Sequence, residues 1–117
     1  MSKSLELART FLGKLVHVTM DRPLGSLHPR EGFLYEANYG YIEGTLAPDG
    51  SELDAYYLGV GRPLSQGTGV CIAVVHRLND DDDKLVVVPL GTNLSDEQIV
   101  EATHFQERWF DTTIVRC

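Results

Sequence analysis

Residues 49 to 54 read Asp-Gly-Ser-Glu-Leu-Asp, and about thirty residues later Asp80-Asp81-Asp82-Asp83 runs straight into Lys84. Carboxylates repeated at short spacing beside a glycine can face one ion from a single turn. Hard cations such as Mg²⁺ take oxygen ligands of this kind and keep some of their waters. A lysine directly after the second cluster suggests that the ion's partner is an anion, most simply a phosphate. Residue types alone leave a plainer alternative open. Asp49 and Asp54 also suit a turn and a strand start, and a block of like charge is commonly a solvated hairpin tip.

The elements that must carry these groups read mainly as strands. Leu15 to Met20 is rich in β-branched residues and alternates, delivering Asp21-Arg22-Pro23-Leu24-Gly25-Ser26 into a loop punctuated by Pro and Gly. Tyr39-Gly40-Tyr41-Ile42 reads as short extended chain, with turns at Gly44 and Pro48-Asp49-Gly50, and a strand resumes from Asp54 to Val60. Gly69 to His76 and Lys84 to Pro89 are nearly continuous apolar runs, so the four aspartates fall where two core strands turn over. Ser95 with Gln98 forms a capping box ahead of Ile99, Ala102, Phe105 and Trp109 at helical spacing. Thr112 to Arg116 closes as a last strand, and residues 1 to 13 form an arm or short helix. The expectation is a mainly β, α+β chain: a small barrel-like sheet with one packed helix near the C-terminus.

With 117 residues the chain suits one domain spanning 1 to 117. Its 43% hydrophobic and 23% charged content is ordinary for a globular protein and too apolar for a disordered one. A formal charge of −7 argues against a nucleic-acid partner, which wants a basic stripe. The same charge would repel phosphates unless metal ions neutralise the acidic clusters. Cys71 sits in an apolar run and Cys117 is the last residue, so neither belongs to a zinc spacing or a disulfide framework. No stretch suits a signal peptide or a bilayer span, which makes a cytoplasmic protein without a membrane partner the default expectation.

Taken in order, Asn38-Tyr39-Gly40-Tyr41-Ile42, Thr45-Leu46, Asp49 to Asp54 and Asp80 to Pro89 resemble the soluble inorganic pyrophosphatases of family I, from roughly Val16 to Phe110. The resemblance implies an OB-like five-stranded barrel with a helix, Mg²⁺ dependence and hydrolysis of pyrophosphate to two phosphates. It makes Asp49, Asp54, Asp80 and Asp82 the metal ligands, Lys84 a phosphate ligand with a catalytic share, and Tyr35 and Tyr39 pocket residues. Asp21 falls where a glutamate supports the metal shell. Mn²⁺ accepts the same all-oxygen shell, while cellular abundance favours Mg²⁺.

The departures are as informative as the matches. Ser51 stands where the family has an aspartate acting as general base, and a hydroxyl with no base beside it accepts a proton poorly. Glu52 is the candidate replacement, while Asp54, holding the ion that activates the attacking water, keeps a catalytic share. A lysine and a glutamate after the first strand have no equivalents, and a tyrosine-lysine pair is Trp109-Phe110 here. Arg22, His28 and Arg30 are candidates to rebuild phosphate binding, arginine being suited to forked bonds with phosphate oxygens. His17, His76 and His104 read as structural. The expected function is a Mg²⁺-dependent phosphoanhydride hydrolase acting on a small phosphorylated substrate. The alternatives are a hydrolase of a nucleotide or other phosphorylated metabolite, and a metal- and phosphate-binding module without turnover. Trp109 and Phe110 would suit pairing between copies of the chain.

Overall fold

β-branched and aromatic runs become strands and the capped stretch becomes a helix in the computed structural model, which describes residues 3–116. Cys117 lies outside the described residues. In chain order the elements are α1 (Lys3–Arg9), β1 (Leu15–Arg22), β2 (Asn38–Ile42), β3 (Leu53–Tyr57), β4 (Gln66–Arg77), β5 (Lys84–Val88), α2 (Asp96–Glu107) and β6 (Thr112–Val115). Asp21 and Arg22 end β1 instead of opening the loop, and β3 stops at Tyr57, short of Val60.

The sheet runs β1-β2-β3-β5-β4-β6, and a further β1–β4 pairing closes the first five strands into a ring. The expected five-stranded barrel is therefore present, with β6 attached outside the ring. All pairings are antiparallel except β3 with β5. β4 is long enough to serve two neighbours on one edge: residues 66 to 70 pair with β1, and residues 74 to 77 pair with β6. A bulge between Cys71 and Ala73 lies at the changeover and turns Ile72 and Ala73 to the same side.

Alternation fills both faces of this wall. Val16, Val18 and Met20 of β1 join Leu53, Ala55, Tyr57, Leu85 and Val87 in one cluster, to which α1 adds Leu5 and Ala8. The opposite residues, Tyr39, Tyr56, Ala73, Val75, Val86 and Val88, pack outward onto Ile99 and Phe105 of α2. Fully burying a side chain of this size contributes roughly 1.5–3 kcal/mol, so the two clusters dominate stability. Gly40 is required where β1 crosses β2: a Cβ there would run into the Thr19 carbonyl.

The capping box forms as the sequence indicates. Gln98 N donates to Ser95 Oγ at 3.1 Å, and Ser95 N donates to Gln98 Oε1 at 2.9 Å. The helix ends at Glu107 with Arg108 as its C-cap, which leaves Trp109 and Phe110 just beyond it.

Candidate active site

A cavity of about 550 Å³ opens between the outer face of the β2–β3–β5 wall, the loop after β1 and the end of α2. Three β-strands deliver its polar floor. Tyr39 and Asp54 come from β2 and β3 at neighbouring register, and Lys84 is the first residue of β5. Lys84 Nζ bonds Asp54 Oδ2 at 2.8 Å and Asp82 Oδ1 at 2.9 Å. The Tyr39 hydroxyl donates to Asp54 Oδ2 at 2.9 Å. Burial first, then the Asp54 charge and the bond to it, push the Tyr39 phenol well above its ordinary value, so it stays a donor.

Behind this floor lies a pair that spacing along the chain does not reveal. Arg77, at the end of β4, bonds Glu107 of α2 through Nε at 2.9 Å and Nη2 at 3.1 Å. Phe110 lies under the guanidinium, 3.6 Å to the ring centroid. Burial opposes the Arg77 charge, but the Glu107 bond and charge, with Asp82, outweigh it and hold the group above its ordinary value. Its Nη1 then reaches Asp82 Oδ2 at 3.3 Å and Asp80 Oδ2 at 3.5 Å. Glu107 also accepts from the Tyr56 hydroxyl at 2.6 Å, which in turn accepts from Gln106 Nε2 at 2.7 Å.

The loop after β1 folds back as a flap, held by Tyr35 N to Ser26 O and Gly25 N to Tyr35 O, each 2.8 Å, and by a bridge between Leu27 and Leu34. Buried Asn38 fixes it to the loop after β3: Oδ1 accepts from Leu24 N and Leu64 N at 3.0 Å each, and Nδ2 donates to Arg62 O at 2.9 Å. The flap brings His28, Arg30, Glu31 and Phe33 to the cavity, where they join Arg22 from the end of β1. His28 Nδ1 accepts from the backbone of Arg30 and Glu31 at 3.1 Å, so its neutral ring carries the proton on Nε2. Tyr35 lies one layer back, where its hydroxyl accepts from Arg22 Nη1 at 3.1 Å and donates to Gln106. Burial opposes the charge of Arg22 too, but the Tyr35 bond raises it overall.

Of the residues singled out from the sequence, Asp54, Asp82, Lys84, Tyr39, Arg22, His28 and Arg30 line this one cavity. Asp49, Glu52 and Asp80 lie outside its lining. Asp49 Oδ1 caps its own turn by accepting from Ser51 N at 2.9 Å, and both residues are exposed. Glu52 has the same strand parity as Asp54, but β3 begins only at Leu53, and the preceding turn carries Glu52 to the exposed edge. The aspartate run is divided: Asp80 and Asp82 turn to Arg77, while Asp81 accepts from Ser4 N at 3.2 Å and Asp83 bonds His76 at 2.9 Å. Arg77, Glu107, Gln106 and Asn38 are the contributors that the sequence reading missed. Only Asn38, inside the quoted Asn-Tyr-Gly-Tyr-Ile string, carried a signal.

Among the described residues no three His, Cys, Asp or Glu side chains come close enough to form a metal cage. Asp54 and Asp82 nevertheless face the same space with hard oxygens. This fits an ion held by one or two carboxylates together with substrate phosphates and retained waters.

Comparison with known proteins agrees with the barrel. A family model described as inorganic pyrophosphatase matches residues 14–114. An inorganic pyrophosphatase of Halalkalibacterium halodurans is 42% identical over 60 residues, covering 47% of this chain and 36% of that protein's length. The inorganic pyrophosphatase structure from Ehrlichia chaffeensis superposes with a TM-score of 0.66 at 17% identity, covering 86% of this chain and 84% of that one. The one from Thermus thermophilus gives 0.65 at 21% identity, covering 87% and 82%. At these identities the structural likeness speaks for the fold alone. The family match, which extends over most of the chain and includes the strands bearing Tyr39, Asp54 and Lys84, places this chain in the inorganic pyrophosphatase family.

Proposed function

We propose that the cavity binds a small diphosphate and hydrolyses its anhydride bond, with pyrophosphate as the substrate that family membership supports. The observation carrying this reading is the convergence of Asp54 and Asp82 on Lys84 beside Tyr39, within 2.9 Å throughout. Mg²⁺, or Mn²⁺, held by Asp54 and Asp82 with phosphate oxygens and waters, would neutralise phosphate charge and supply a water of lowered pKa.

The chain's own residues account for the remaining chemistry. Lys84, Arg22 and Arg30 stabilise charge on the phosphate oxygens, and the braced Arg77 adds a fixed cation beside Asp82. His28 Nε2–H and the Tyr39 hydroxyl supply further donors. Water attacks one phosphorus in line, the bridging P–O bond breaks, and the electron pair leaves with the second phosphate. The attacking water gives up its proton to solvent, since Tyr39 and Lys84 both engage Asp54 Oδ2 and Oδ1 is the oxygen left to hold an ion. Glu52, carried to the exposed edge outside the cavity lining, is not placed to act as the base.

Phosphate release from pyrophosphate, with and without Mg²⁺, tests this. Asp54→Asn is expected to lower Mg²⁺-dependent release by on the order of a hundredfold, the scale of loss when a metal's ligand shell is disturbed. Equal rates in wild type and variant would reject the reading. The exposed Ser51 favours a second reading, a module that holds metal and phosphate without turnover. Binding of pyrophosphate by the wild type with no release above the variant's level would select it.

A further inference from the structure

We infer that the cavity takes a diphosphate carrying a flat aromatic ring, a nucleoside diphosphate being the matching class, with the ring against Trp109 and Phe33. The inference rests on the phosphate site proposed above and specifies what lies beyond the phosphates. The cavity lining holds two chemically different groups of side chains. Lys84, Arg77 and the two aspartates are tied together by ion pairs, and Phe33, His28 and Trp109 pack on one another as an aromatic group in the same lining. Phe33 stacks on His28 at 4.8 Å between centroids and meets Trp109 at 5.3 Å. The Arg108 guanidinium sits 4.3 Å over the indole and braces it.

Trp109 is nonetheless 55% exposed, a large apolar surface left in water at the edge of a cavity that it lines. Neither phosphate group has any use for such a surface. A nucleobase does, because every base presents a π-face to an aromatic platform and stacking contributes without sequence-specific hydrogen bonds. Size agrees: about 550 Å³ falls within the roughly 300–1,000 Å³ of sites for organic ligands. Charge agrees as well, since the lining carries four cationic side chains, Arg22, Arg30, Arg77 and Lys84, against the carboxylates of Asp54, Asp82 and Glu31. This cationic balance sits on a chain of net charge −7.

The test is calorimetric titration of the wild-type protein, in Mg²⁺, with ADP, pyrophosphate and isopentenyl diphosphate, whose tail is apolar but has no ring. ADP is expected to bind about tenfold or more tighter than either, the effect of roughly one stacked base. It should also quench the fluorescence of Trp109, the chain's single tryptophan. In Trp109→Ala, and more weakly in Phe33→Leu, the ratio of ADP to pyrophosphate affinity should collapse towards one. Far-ultraviolet circular dichroism checks that each variant is folded. Equal affinity for ADP and pyrophosphate, equal affinity for ADP and isopentenyl diphosphate, or an ADP preference that survives in folded Trp109→Ala would each overturn the inference. Release of phosphate from pyrophosphate without ADP preference would sink the inference and leave the hydrolase standing. ADP preference with no phosphate released from any diphosphate would do the reverse.

Discussion

At 6% exposure the Arg77 guanidinium has given up nearly all of its hydration, and Glu107 answers with two charge-assisted bonds. Breaking a buried pair costs more than the pair itself contributes, because the remaining charge stays buried. Glu107→Gln should therefore destabilise the fold by about 3 kcal/mol, read from denaturant unfolding. The same variant should weaken pyrophosphate binding, since nothing then holds Arg77 Nη1 beside Asp82. Neither residue was legible in the sequence. They lie 30 positions apart, on a strand and a helix, with no local pattern linking them. Asp49 shows the opposite case: its spacing to Asp54 is conspicuous, and its side chain closes its own turn. Types and spacing indicate which groups are available, whereas the direction of a side chain depends on the strand end or turn that carries it.

Ser95 and Gln98 fix the start of α2, and the length of α2 from that start fixes where Trp109 and Phe110 emerge. Ser95→Ala removes the acceptor for Gln98 N and should cost about 1 kcal/mol, measured as a lower midpoint in denaturant. This element was legible because capping is local, within four residues. The strands were legible in kind, their boundaries less so: β1 runs on through Asp21 and Arg22, where polarity had suggested a loop, because pairing of Arg22 with Tyr39 continues the ladder. Asp21 illustrates the consequence. Burial raises its carboxyl above the ordinary value, Asp54 adds to the rise, and Arg22 opposes it. The flap was not legible beyond its Pro and Gly punctuation, for it is held by Asn38 from the neighbouring strand.

For the molecule as a whole, two of the three phenols in the second core cluster, those of Tyr39 and Tyr56, set an upper pH limit. Tyr39 and Tyr56 are both pushed well above 10.0, first by burial and then by Asp54 and Glu107 respectively. Above 10.0 the unfolded chain loses these protons while the folded one keeps them, so unfolding becomes easier as pH rises. Their contribution is complete below 10.0 and declines as pH climbs towards the raised folded values. Melting temperature followed against pH should fall beyond that point, and Tyr56→Phe should flatten the fall while lowering stability at neutral pH. The closed ring leaves one strand with a second duty. Residues 74 to 77 of β4 extend past the end of β1, and β6 covers them. Cutting the chain before Thr112 would bare a row of backbone donors and acceptors beside Val74 and Val75, the kind of open edge on which chains add to one another. The final strand is thus a guard against aggregation as well as part of the fold, and the solubility of shortened forms hinges on four residues.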